Sequence, residues 1–461
     1  TSSRGLGDVY KRQYIYLFIS NLTTIQHVFQ ICFILTIVRI HIQAKSCAEK
    51  DSTDEEILDG IDNMQDHLTN IAKHFLVFKA IPCHPILESS MIVVRQSCYS
   101  INALRLIRSS DCLINHLNLY NIGIANITGD GANENVIFHH ISCTVRLGDF
   151  VTPETKSLIE KYDVEEYLNY EVAKIDSYTG DYIFFMEDMP HLVKRLVNAL
   201  YNSSKDDETR DIHYGDHHMN LRMIKQVWQK TGGTGAGVHG TRLTDAHFDK
   251  DNFSKMRVYL CVQVMSNSVL RMFEAAFNNP NINLPFKKHE YEPIIQFITH
   301  VNKFVDILNG RNDKNFIPET ALSTIESLLE IFAWFHKWKK LNESLNLPAN
   351  KFLPTQTWKG LERIIFDYIG MIDYYTIQRK MSLIPKRMTS DPCEHLFSRM
   401  RCCAGSTNSV TTRSALSTTA KQNLANSLKL PKNGSYAHAP SLSDTIIENN
   451  EMLDTKIKKR F

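Results

Sequence analysis

No Cys-x-x-Cys pair occurs among the ten cysteines, and none has zinc-finger spacing to histidine, so no zinc module is encoded here. A disulfide scaffold does not suit a chain of this length, and the scattered thiols fit a reducing nuclear or cytosolic setting. No GxxxxGK[ST] loop is present, so any nucleotide must be held by other means than a P-loop. No run reaches the ~20 apolar residues of a membrane span. The richest stretch, Tyr14 to Ile42, is interrupted by Ser20, Asn21, Gln26, His27, Gln30 and Arg39, which argues against a membrane partner. Net charge is also scarce: 52 basic residues oppose 50 acidic ones, for +2. That excludes a surface coated in positive charge and leaves room for a local basic groove. There is no internal repeat.

What remains is a chain of 461 residues with ordinary globular composition, 43% hydrophobic and 22% charged. Its length suits roughly two to four domains. Thr1 to Gln13 (TSSRGLGDVYKRQ) reads as translated adapter sequence, and the stretch up to residue 37 reads as foreign translation, with a hydrophobic anchor as the competing reading. Alternation of Val38, Ile40 and Ile42 with Arg39 and His41 predicts a half-buried strand. His74 to Ile81 predicts a central strand, and Gly123 to Thr128 another. Between them, Ser100 to Tyr120 has helical spacing, with Leu104, Ile107, Cys112, Leu113 and Leu117 near one face. That order is an α/β pattern. From about Asp181 to Gln378 the chain reads as largely helical. Met256 to Phe273, Ile294 to Leu308 and the Ile325 to Phe335 stretch each show an apolar face. The Ser/Thr-rich segment after Gly405 is poor in apolar residues and predicts a mobile tail.

Several short segments could carry chemistry. Asp130, in ITGDGANEN, stands where a strand ends between two glycines. A carboxylate there is rigidly aimed, as a metal ligand must be, although Asp-Gly alone is simply a turn. In SDPCEHLFSRMRC, Pro392 at a first helical position puts Asp391 at the N-cap, with Glu394 in the first turn. Arg379, Lys380, Lys386, Arg387, Arg399 and Arg401 frame this pair in the sequence and would suit either a phosphate backbone or a solvated face. EDMPHLVKRLVNAL is a strand-to-helix junction with Leu192, Leu196 and Leu200 on one face. Its Asp188 and Lys194 could meet a nucleotide's base and phosphate, or be a cap and a surface residue. Gly235 to Gly240 formally matches GxGxxG but follows no strand, and reads as a loop. The pairs His139-His140 and His217-His218 have no partners at metal spacing and read as core or surface histidines.

Taken in order, five of these blocks resemble the P-element-type DNA transposases, including their THAP-domain homologues. They are ITGDGANEN, EDMPHLVKRLVNAL, RLTDAHFDKDNFSKMRVYLCVQVMSNSV, FVDILNGR and SDPCEHLFSRMR, spanning about Val38 to Ala404. The resemblance implies an α/β, RNase H-like core interrupted by a large helical GTP-binding insertion. It divides the chain into a non-homologous segment (1–37), a first core part (38–180), the insertion (181–378), a second core part (379–404) and a tail (405–461). It implies Mg²⁺-dependent DNA strand cleavage and transfer in the nucleus, with transposon ends and target DNA as partners, GTP as cofactor, and a homo-oligomer. Carried over by motif, Asp130 is the second catalytic carboxylate and metal ligand, and Glu394 the last. Asp188, Lys194, Asp306 and Asp391 serve the guanine nucleotide.

The sequence also departs from the family. Val38 stands where the first catalytic Asp is expected, followed by Arg39. Met189 and Val197 replace a proline and an arginine of the lysine motif. The family's zinc DNA-binding module is absent from the sequence given. Little or no cleavage is therefore expected. The alternative is a domesticated, non-catalytic protein that binds nucleic acid or GTP.

Overall fold

The computed structural model describes residues 31–41, 74–82, 91–97, 102–119, 122–203, 210–233, 241–248, 257–309, 315–403, 418–419 and 421. The expected adapter-like segment, the Gly235–Gly240 loop and nearly all of the tail lie outside them. The chain divides into two compact units. The first takes in the chain up to Gly129, residues 175–183 and the chain from Ser390 on. The second holds 130–174 and 184–389.

The first unit is built on four strands: β1 (Ile31–His41), β2 (His74–Pro82), β3 (Met91–Ser97) and β4 (Ile122–Gly129), in the order β3-β2-β1-β4. β1 and β2 pair antiparallel with Val38 opposite Val77, and β2 and β3 pair antiparallel with Val77 opposite Val94. β1 and β4 are parallel, with Ile37 opposite Gly129. β1 begins at Ile31, ahead of the boundary expected at Val38. All eight residues of β4 are buried, as a parallel interior strand requires.

Two helices complete this unit, α1 (Ala103–Asn118) and α11 (Asp391–Cys403). The buried face of α1 is Ala103, Leu106, Ser110, Ile114 and Leu117, whereas Leu104 and Cys112 are exposed. This corrects the expected face. Ser110 can sit inside because its hydroxyl donates to the Ile107 carbonyl at 2.9 Å, so a polar residue occupies a core position that hydropathy assigns to solvent. α11 packs on β1 and β2 and buries Cys393, Leu396, Phe397 and Met400.

The second unit is mostly helical. It contains α2 (Asn133–Ser142), α3 (Pro153–Lys161), α4 (Met189–Asn202), α5 (Leu221–Lys230), α6 (Val258–Val264), α7 (Asn267–Asn278), α8 (Lys288–Leu308), α9 (Ala321–Ser344) and α10 (Thr355–Met371). Its strands β5 (Val145–Arg146), β6 (Glu171–Ile175) and β7 (Tyr182–Glu187) follow the order β7-β6-β5, and β8 (His213–Tyr214) and β9 (His217–His218) form a hairpin. Leu192, Leu196 and Leu200 face the core from α4 as expected, and α4 packs against α6, α8 and α10.

Where one helix was expected over 256–273, there are two. Ser266 adopts extended backbone, and its hydroxyl donates to the Gln263 carbonyl at 2.7 Å, taking up an acceptor at the end of α6. α10 continues into a π-helical stretch, Ile372–Gln378. There the buried Asp373 accepts from Thr152 (backbone N–H at 3.2 Å, hydroxyl at 2.6 Å) and from Gln378 Nε2 at 2.6 Å. The wider helical ring thus ties α10 to the start of α3. The expected α/β class holds: the protein is helix-rich with a mixed sheet. Among the described residues no helix is long and apolar enough to cross a membrane.

Candidate catalytic and nucleotide-binding residues

Asp130 follows the last residue of β4 and opens the turn into α2. Among the described residues, the two hydrogen bonds to its side chain fall on one oxygen. Oδ1 accepts from the Ala132 N–H at 3.1 Å and from Asn135 Nδ2 at 2.6 Å. The turn rests on a buried ion pair, Glu187 at the end of β7 with Arg195 on α4. A Cβ on Gly131 would meet Glu187 Oε1 at 2.5 Å and Arg195 Cζ at 3.2 Å, so a larger residue there would have to displace the ion pair. Arg195 Nη1 donates to the Gln356 carbonyl at 3.3 Å, and Gln356 Nε2 donates to the Gly131 carbonyl at 3.1 Å. Burial lowers the Arg195 pKa to about 10, an effect partly offset by the negative charge of Asp130. Glu187, Arg195 and Gln356 were not singled out in the sequence. Arg195 lies within the lysine motif, but nothing local marks it as the partner of Glu187.

In the first unit, Asp391 and Glu394 occupy the first turn of α11. The Ser390 carbonyl accepts from Glu394 N–H at 3.1 Å, which makes Ser390, not Asp391, the N-cap. Asp391 is then the first helical residue, where its charge favours the positive end of the helix. Serine and aspartate both cap well, so the sequence alone misplaces the start by one position. Glu394 is exposed, with Oε1 3.4 Å from the Ser390 hydroxyl that donates to it. Arg399 and Arg401 are exposed further along the helix.

The other residues expected at the nucleotide lie in the second unit. Asp188 is fully buried at the N-cap of α4, with Oδ2 2.5 Å from His191 Nδ1. Burial, and after it the charge of Asp188, pushes the neighbouring Tyr368 hydroxyl's pKa up. Lys194 is half-buried on the same helix. Asp306, near the end of α8, accepts from Asn302 Nδ2 at 3.0 Å, and α8 packs against α4. Pro190 keeps a proline in the first turn of α4 although Met189 precedes it. Val197 is completely buried, so an arginine there would need a buried partner.

Spacing arguments missed one cluster. Asp211, His213 and His218 bring three potential ligand atoms within 4.8 Å of one another. The Lys351 ammonium already pairs with Asp211 and lies 3.1 Å from His213 Nε2. The hydrogen bonds also fix the His218 tautomer. Asn220 Oδ1 accepts from Met223 N–H at 3.0 Å, so its Nδ2 donates to His218 Nδ1 at 3.1 Å. Ser203 Oγ donates to the Met219 carbonyl and accepts from Ile212 N–H, both at 2.9 Å, leaving it to accept from His218 Nε2–H at 3.0 Å. A neutral His218 protonated on Nε2 satisfies every atom, and a metal ligand would need that nitrogen bare. Burial lowers the His218 pKa in the same direction. The cluster is a structural latch whose cation is lysine. His139 is a core histidine whose pKa is held well below the usual value, by burial first and then by the charge of Arg363.

Residues 190–317 match the TNP-like, GTP-binding insertion domain. No curated protein matches the sequence. Among solved structures, the Drosophila P element transposase strand transfer complex is similar in fold, with a TM-score of 0.61 at 12% identity over 86% of this chain and 77% of that chain. The middle of the chain thus matches a TNP-like, GTP-binding insertion domain, and its fold is similar to that of the P element transposase.

Proposed function

We propose that this chain derives from a DNA transposase that uses Mg²⁺ and GTP, acts in the nucleus as a homo-oligomer on transposon ends and target DNA, and has lost most of its strand-cleaving power. The observation that carries the reading is the register of β1 on β4. Ile37 lies opposite Gly129, Val38 follows Ile37, and Asp130 follows Gly129. The position expected to bear the first acid is therefore the next residue of the strand that runs parallel to β4. The order β3-β2-β1-β4, antiparallel through β1 and then parallel to β4, supports an RNase H-like core.

Asp130 and Glu394 are hard oxygen donors that suit Mg²⁺. Bound Mg²⁺ would supply charge stabilisation for the attacking and leaving oxygens of strand transfer. Asp130 offers Oδ2, since Oδ1 is engaged by its own turn, and Glu394 offers an exposed carboxylate. Valine adds no oxygen, so the sequence supplies at most two of the three anionic ligands expected to hold two such cations. The same valine favours the second reading, a domesticated protein that keeps nucleotide or nucleic-acid binding without cleavage.

GTP is assigned to the insertion, supported by the family match over 190–317. Within that unit Lys194 is proposed to meet its phosphate and Asp306 a guanine N–H; Asp188 is fully buried against His191, and Asp391 belongs to the other unit. A titration followed by thermal melting tests this. A hundredfold excess of GTP over its Kd should stabilise the chain by about 2.7 kcal/mol, and Asp306→Asn should remove most of the shift. No shift, or an equal shift in the variant, overturns the nucleotide assignment. Mg²⁺-dependent DNA cleavage by the purified chain, abolished by Glu394→Ala, overturns the claim of lost catalysis.

A further inference from the structure

We propose that Asn135 sets the metal preference of Asp130 by making its carboxylate a one-oxygen ligand. This rests on the reading of Asp130 as a metal ligand and deepens it. Asn135 is a buried residue of α2 that points its amide at Asp130 Oδ1 from 2.6 Å, and the Ala132 N–H reaches the same oxygen at 3.1 Å. A carboxylate oxygen has two in-plane lone pairs, so Oδ1 is filled. The described residues place no donor on Oδ2. The donors themselves are fixed: Gln356 Nε2 holds the Gly131 carbonyl, and Glu187 and Arg195 support the turn.

The consequence lies in how cations use carboxylates. Mg²⁺ demands near-octahedral geometry with oxygens at about 2.0–2.1 Å, which a bidentate carboxylate distorts. Ca²⁺ accepts six to eight oxygens at about 2.3–2.6 Å and readily takes both oxygens of one carboxylate. With Oδ1 occupied, Asp130 can offer a cation Oδ2 alone, unless the Asn135 hydrogen bond breaks. The turn is thus built for the smaller ion, and Asn135 is a positioning residue that discriminates against the larger one.

The test is binding, because turnover is not expected of a chain with valine at position 38. Free Mn²⁺ is followed by electron paramagnetic resonance in the presence of the full chain, and Mg²⁺ and Ca²⁺ are each used to displace it. Asn135→Leu conserves volume and removes the donor. It should shift the ratio of the two competition constants toward Ca²⁺ by about tenfold, the loss expected for one hydrogen bond to a charged group. Ala132→Pro removes the other donor at a residue whose φ of −65° already suits proline, and should shift the ratio in the same direction. This second variant carries the test if the first does not fold. A ratio unchanged within about twofold in the folded variants overturns the proposal, since a merely structural role would weaken both ions alike. Asp130→Asn separates the two claims: if it leaves Mn²⁺ binding intact, Asp130 is not a ligand. If it weakens binding while the Asn135 and Ala132 variants leave the ratio alone, only the positioning claim fails.

Discussion

Removing the guanidinium beneath the Asp130 turn should be among the most damaging single changes in the second unit. The Glu187 side chain is 2% exposed and that of Arg195 18%, so their pairing takes place almost wholly out of water. Arg195→Met keeps the length of the side chain and strands the carboxylate. Breaking one side of a buried pair costs about 3–5 kcal/mol, most of it the penalty of an uncompensated buried charge. A folding unit of this size loses about 2–4 °C per kcal/mol, so the melting temperature should fall by roughly 6–20 °C. The double variant Glu187→Gln/Arg195→Met removes the stranded charge. It should recover at least ~2 kcal/mol relative to the single change, because replacing both partners is often close to neutral. Urea denaturation of the four corners of this cycle gives the coupling directly. A cost below ~1 kcal/mol for Arg195→Met, or a double variant no more stable than the single, would refute the view that the turn sits on a buried ion pair.

Two further outcomes follow from buried polar groups. His139, His218, His300 and His336 all have pKa values lowered mainly by burial. Below the unfolded value of about 6.5 the unfolded chain therefore binds more protons than the folded one. Stability should be complete above that pH and decline as it drops toward 5, and a melting temperature flat between pH 7 and 5 would contradict the sign. Asn118 Nδ2 lies 2.9 and 3.1 Å from the two oxygens of the buried Asp176, so Asn118→Ala should cost about 1–3 kcal/mol in chemical denaturation. Near-wild-type stability would mean that the Tyr178 N–H, 3.0 Å from Asp176 Oδ1, is enough on its own.

What could be read in advance was whatever depends on near neighbours. Phe78, Ala80 and Ile81 of β2, the all-buried β4 that leads into Asp130, and the leucine face of α4 are local periodicities that burial reproduces. Failures came where a side chain answers to something distant or to its own backbone. Ser110 enters the core by satisfying itself, and Ser266 ends α6 by turning back on Gln263. Glu187 and Gln356 act on the Asp130 turn from far along the chain, and Lys351 fills a His/Asp cluster that spacing would otherwise offer to a metal. No window of sequence contains both halves of these contacts.

The closeness of α10 to the ion pair also constrains how such a chain can shrink. A Cβ on Gly360 would meet Arg195 Nη2 and Glu187 Oε2, each at 2.6 Å, so this helix forms a wall of the socket beneath the acid-bearing turn. α10 lies beyond the region that matches the GTP-binding domain, yet inside the long helical stretch that interrupts the α/β pattern. Arg195 itself lies inside the matched region, so a chain that lost that region alone would strand Glu187 against α10 and unseat the loop the pair supports.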